Sequence, residues 1–220
     1  MSQIFHEVDE EVRREHWLGL WKSYGGWLIA ALVILVGSVA GYEIWTSHSL
    51  HARQEATAQL LNATKPLDSK NYRAAVDALT AAQPKLKGDV KGLALLREAE
   101  ARLGMEDVTG AIANLDALAA DTAISKSLRE LGMIYSAYLQ VDKAGFDDIN
   151  ARLAPLAAEK SAWRFSALEL IGLSALSNKK PDVARQQFQA IANDAQAPKE
   201  IRERAQTTLQ AIASLEEDGK

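Results

Sequence analysis

Four histidines, no cysteine and a scatter of carboxylates are all the conventional catalytic material in this sequence. The histidines are His6, His16, His48 and His51, so none lies beyond residue 51. Without cysteine there is no thiolate nucleophile, no disulfide and no Cys-based metal site. That absence fits an oxidising compartment, although cytosolic chains also lack Cys. Beyond residue 51 the usual nucleophile–base pairs and zinc ligands are missing. His48, His51 and Glu55 stand at helical spacing and could in principle hold a metal; a polar face beside a membrane accounts for the same residues. No GxxxxGK[ST], GxGxxG or HExxH occurs. Asp147-Asp148 and Glu216-Glu217-Asp218 are adjacent acids at helix ends, not a carboxylate pair positioned across a site. The sequence therefore predicts a non-enzyme with no cofactor and no metal.

What remains is the chemistry of surfaces. Tyr135, Tyr138 and Trp163 are the candidate anchors for a protein partner, because aromatic side chains dominate interface energetics. Packing between helices is the alternative use of the same rings. The formal net charge is -4, with 25 basic and 29 acidic residues, which gives no electrostatic footprint for nucleic acid.

These residues need a scaffold, and its first part is apolar. Ser23 to Tyr42 reads SYGGWLIAALVILVGSVAGY, without a charge between Lys22 and Glu43. A helix of that length rises about 30 Å, the thickness of a bilayer core, and satisfies its own backbone groups. Trp17, Trp21 and Tyr24 flank one end, and Tyr42 and Trp45 the other, as interfacial aromatics do. Arg13, Arg14 and Lys22 precede the span and only Arg53 follows closely, so the N-terminus is predicted to be cytoplasmic. Ser38-Val39-Ala40 before Gly41 resembles a signal-peptide cleavage site, but the long acidic leader and Trp45 beyond it favour an uncleaved anchor. Gly37 and Gly41 form a GxxxG that would let another helix approach in lipid. The expected organisation is a cytoplasmic leader at 1–22, a transmembrane helix at 23–45 and a periplasmic domain at 46–220.

The remainder reads as helical and repetitive. Ala, Leu, Glu, Gln, Lys and Arg dominate, Gly and Pro punctuate, and no sustained alternation of β-branched residues occurs. A small or apolar residue, another four on and a third three on recur as Ala75, Leu79, Ala82; Ala111, Leu115, Leu118; Ile149, Leu153, Leu156; and Ala184, Phe188, Ile191. The starts are 36, 38 and 35 residues apart, close to the period of a helix-turn-helix repeat. Steps of four and three put each trio on one helix face. Leu128-xx-Leu131-Gly132-xx-Tyr135 and Leu168-xx-Ile171-Gly172-xx-Ala175 mark partner helices, similar to the first helix of a tetratricopeptide repeat without its Trp. Gly172 precedes Ala184 by 12 residues, whereas Gly132 precedes Ile149 by 17, which predicts five extra residues in the third unit. Leu96, Ala99 and Leu103 stand in for the glycine pattern in the second unit. Lys65-Pro66-Leu67-Asp68 is the first expected break, Pro155 should stop or kink its helix, and a last amphipathic helix runs from Pro198 to about Leu215. The predicted fold class is all-α: one transmembrane helix followed by an α-solenoid of tetratricopeptide-like hairpins.

The leader Glu7-Val8-Asp9-Glu10-Glu11-Val12-Arg13-Arg14-Glu15, then Leu20-Trp21-Lys22-Ser23-Tyr24-Gly25 running into the span, then degenerate repeats, resembles the YfgM-like family. These are inner-membrane tetratricopeptide-repeat proteins known as ancillary subunits of the bacterial SecYEG translocon. The resemblance covers essentially the whole chain. It implies a periplasmic domain that works beside the translocon with a membrane-anchored periplasmic chaperone on newly exported polypeptides, and it carries over no catalytic residue. The competing expectation is a structural envelope component that forms homo-oligomers through Gly37 and Gly41, without a translocon role.

Overall fold

The computed structural model describes residues 27, 34–38, 42, 54–158 and 160–218. Two compact units divide the chain, Met1–Glu55 and Ala56–Lys220. In the first, Trp27, residues 34–38 and Tyr42 are helical and exposed. Among the described residues no helix is long and apolar enough to cross a membrane. Most of the predicted span 23–45, the leader 1–22, the four histidines and Gly41 lie outside the described residues. Gly37 is helical, and among the described residues nothing outside its own helix backbone comes within 4 Å of the place its Cβ would occupy.

All regular structure among the described residues of the second unit is helical. Residues 54–68 form α1, followed by α2 (Tyr72–Ala82), a 3-10 turn (Gln83–Lys85), α3 (Gly88–Gly104) and α4 (Val108–Ala120). Then come α5 (Lys126–Gln140), α6 (Phe146–Leu153), α7 (Arg164–Ser177), α8 (Pro181–Ala192) and α9 (Lys199–Asp218). From α2 onward each helix packs on the next, and α3, α5, α7 and α9 also touch in succession. Odd-numbered helices thus form one layer and even-numbered helices the other, as stacked hairpins require.

The turns repeat as faithfully as the helices. After α1, the Lys70 N–H donates to Leu67 O and the Asn71 N–H to Pro66 O, both at 2.9 Å. After α3, Glu106 donates to Leu103 O at 3.0 Å and Asp107 to Arg102 O at 2.9 Å. After α7, Lys179 donates to Leu176 O at 3.0 Å and Lys180 to Ala175 O at 2.8 Å. Each is a Schellman closure, with Lys70, Glu106 and Lys179 in the left-handed region at φ 57°, 62° and 57°. Asn71 and Asp107 then cap α2 and α4 through Ala74 N and Gly110 N, and Pro181 opens α8 at a position where no N–H is needed. The α5–α6 connection differs: residues 141–145 join the helices, and no residue there has a positive φ.

Several expectations change here. The first break falls at Ser69-Lys70, because Pro66 in the last turn removes only its own donor while its carbonyl still closes the turn. The last helix continues through Glu216 and Glu217 to Asp218. Leu156 lies three residues past the end of α6, which stops at Leu153 just before Pro155. The third trio therefore does not share one helix face, although Ile149, Leu153 and Leu156 are all buried in one cluster. Ala75, Leu79, Ala111, Leu115, Leu118, Ala184, Phe188 and Ile191 are buried on the even helices, while Ala82 is half-buried.

The register of the third unit also differs from the expected one. A buried small residue on the odd helix stands 12 positions before each trio: Ala63, Ala99, Ala137 and Gly172. Ala137, not Gly132, is the counterpart of Gly172, and it packs in the cluster that holds Ile149 and Leu153. No five-residue insertion separates α5 from its trio. Gly132 serves another contact, since a Cβ there would lie 2.9 Å from Leu115 O and 3.0 Å from Leu118 Cγ of α4.

Candidate functional site

The register of the small residues places a surface. With each small residue facing the even layer, the positions two before and one after it face away. They are Leu61 and Thr64 on α1, Arg97 and Glu100 on α3, Tyr135 and Tyr138 on α5, and Leu170 and Leu173 on α7, where Leu170 is buried in the cluster of Ile149 and Leu153 and Leu173 is half-buried. Leu61, Tyr135 and Tyr138 are 61%, 48% and 62% exposed, high values for large apolar side chains on an ordered helix.

Two depressions open on this odd-helix face. The first, of about 480 Å³, lies between α3 and α5 and is mainly apolar, with Leu96, Leu103, Leu115 and Leu139 beneath Tyr135 and Tyr138. Arg97 and Glu100 stand at its edge, paired at 2.7 Å. The second, of about 760 Å³, lies across α7 and α9 and is lined by Leu170, Leu173 and Phe188 below and by Glu169, Glu200, Glu203, Arg204 and Thr207 above. Tyr138 borders both, so the two depressions adjoin at its ring and together make the groove of this face.

The groove walls are fixed by polar ties between helices. Arg204 grips Glu169 through Nε and Nη2 at 2.7 and 2.8 Å, a fork joining α9 to α7. The Glu169 carboxylate holds the Arg204 guanidinium above its ordinary range, against the opposing effect of burial. Behind the first depression, on the side of α3 that meets α2, the Glu98 carboxylate is only 2% exposed. It accepts from Thr80 Oγ1 at 3.1 Å, from Gln83 Nε2, and from Arg102 Nη2 at 2.8 Å. Arg102 also donates to Asp107 at 2.9 Å, so one buried carboxylate joins α2, α3 and the α4 cap. Buried charge without such partners costs several kcal/mol, about 3–5 when one partner is removed. The Gly110 N–H, then Arg102, holds the Asp107 carboxyl below the usual carboxylate range.

A second tie recurs with the repeat. Lys91 in the first turn of α3 meets Asp121 at 2.7 Å, and Arg164 in the first turn of α7 meets Asp194 at 2.6 Å, each pair 30 residues apart. Each aspartate also accepts a backbone N–H two residues on, from Ala123 or Gln196. Both carboxyls are held below their usual range, Asp121 first by Lys91 and Asp194 first by the Gln196 N–H. The odd helices thus enter the groove layer at a fixed place. On the even side, Ser136 and Arg152 both hydrogen-bond Asp116, which joins α4, α5 and α6.

Of the sequence candidates, Tyr135 and Tyr138 come together on the groove. Trp163 does not join them; it is half-buried at the start of α7, packed against the cluster of Ile134, Ile149 and Leu153. Leu96, Leu103, Glu169, Glu200, Glu203 and Arg204 escaped the sequence reading of partner contacts. Their signal was the register: Leu96 and Glu169 each stand three residues before the small position of their helix.

Comparison with known proteins agrees with this architecture. The model of the tetratricopeptide repeat-like domain matches residues 18–214, nearly the whole chain. No curated protein and no solved structure matches the chain. A family model that spans the hairpins, their connectors and the closing helix leaves one conclusion: the chain belongs to the tetratricopeptide repeat-like domain family.

Proposed function

We propose that this protein is a membrane-tethered, non-catalytic scaffold that holds a segment of a protein partner in the groove of its odd-helix face. Repeat stacks of this kind generally bind protein partners along such a face. The carrying observation is the pair Tyr135 and Tyr138, held exposed on ordered backbone above an apolar depression. Rigid aromatics over a desolvated pocket are the usual seat of interface energy. The tether rests on the uncharged run 23–42 with its flanking aromatics. The leader and anchor resemble the YfgM-like family, which supports a periplasmic place beside the translocon, where tethering raises the encounter rate with exported chains and their chaperone.

Photo-cross-linking in intact membranes tests this reading. A photoreactive residue replacing Tyr138 should give adducts with translocon subunits, a membrane-anchored chaperone or exported chains. The same residue at Asp182, exposed on α8, should not. Homodimer adducts alone would replace this reading with the self-associating envelope component.

A further inference from the structure

The groove is uneven in its chemistry, and the unevenness describes its occupant. At the α3–α5 end the lining is apolar and its charges cancel, since Arg97 and Glu100 are bonded to each other. At the α7–α9 end Arg204 is already committed to Glu169, which leaves Glu200 and Glu203 as excess negative charge. Lys199 reaches Glu203 at 3.7 Å from outside the lining, an exposed helical pair that offsets little of it. The two ends are two helix steps apart, roughly 20 Å at 8–10 Å per step. An extended chain covers that distance in about six residues at ~3.3 Å each. A docked helix would need a continuous apolar trough, and the second end is lined above by charged and hydroxyl groups.

We infer that the occupant is an extended, basic segment: an apolar or aromatic side chain seated between α3 and α5, and a Lys or Arg about six residues away facing Glu200 and Glu203. The inference rests on the groove reading above and adds the partner's chemistry to it. Acidic segments are repelled at the α9 end, and apolar segments without a base occupy only half of the groove.

The test uses the full chain in nanodiscs of zwitterionic lipid, because anionic lipid would itself capture a basic peptide. The probes are fluorescent ten-residue peptides with one Phe and one Lys six positions apart, in both orders, and twins with Glu in place of Lys. Anisotropy should show the better Lys peptide binding about tenfold more tightly than its twin, less so at high salt. The double variant Glu200→Lys with Glu203→Lys should invert the preference, and Tyr138→Ala should weaken both peptides alike. Glu203→Gln alone should narrow the gap if the double variant alters the circular dichroism spectrum. Equal binding of the twins overturns the basic-segment rule while leaving the groove in use. Binding indifferent to Tyr138→Ala, or no binding of any peptide, overturns the rule together with its groove.

Discussion

At the residue scale, what organises this domain is smallness at one position per odd helix. Ala63, Ala99, Ala137 and Gly172 each let an even helix approach 12 residues before its trio. The sequence showed the trios and the 12-residue interval in the last unit, yet Gly132 drew the third unit out of register. The reason is physical: glycine in a helix signals a close approach, but not which neighbour approaches, and alanine serves the same purpose without standing out. Gly132 meets the preceding hairpin, with Leu115 O 2.9 Å from where its Cβ would be. That obstacle is backbone, which yields little. Gly132→Ala gains up to about 1 kcal/mol of helix propensity but suffers overpacking of about 1–3 kcal/mol. We expect a net loss of roughly 1–2 kcal/mol in urea unfolding with the m-value unchanged; a stabilised variant would mean that α4 and α5 can separate freely.

At the element scale, the hairpins are set by their turns. Legibility was uneven here too. Pro155 announced its boundary, while the left-handed positions of the Schellman turns did not, because Lys70, Glu106 and Lys179 occupy the place usually given to Gly or Asn. A sequence reader looking for glycine finds nothing at those places. The folded chain holds a Cβ in a region that costs an L-residue about 1–2 kcal/mol. Replacing it with glycine removes that strain and adds about 0.5–1 kcal/mol of unfolded-state entropy, so the strain term wins. Lys70→Gly and Glu106→Gly should each raise the thermal midpoint by a few degrees for about 0.5–1 kcal/mol gained. The control is Lys143→Gly in the α5–α6 connection, where φ is not positive and the midpoint should fall or stay. Midpoints that drop in all three variants would show that the turns carry no such strain.

At the scale of the whole repeat unit, α9 has two duties. Ala205 and Ile212, helped by Ile201 and Leu209, complete the cluster of Leu168, Ala175, Ala184, Phe188 and Ile191, and so close the stack. The same helix presents Glu200, Glu203 and Arg204 to the groove. Its amphipathic pattern made the closing role readable in sequence, but the groove role was not, since which polar positions face α7 depends on how the hairpin below is rotated. Stability in such a stack passes between neighbours rather than through one shared core. Burying Ile212 and half-burying Ile201 and Leu209, at about 1.5–3 kcal/mol for a fully buried side chain, contributes on the order of 3–6 kcal/mol, comparable to the whole stability of a marginal domain. Ending the chain at Pro198 should therefore unfold α7 and α8 along with the deleted helix, because Phe188 and Ile191 lose their cover. Among the described helices, α2 to α4, tied by the buried Glu98 network, do not pack substantially on α9 and should persist. Limited proteolysis should then release a resistant fragment that retains α2 to α4 and ends before α7, and the ellipticity lost should exceed that of 20 helical residues. Loss of all helicity in one step would mean that the hairpins are coupled as a single unit, and the groove would then have to be treated as one rigid surface rather than as two ends that respond separately.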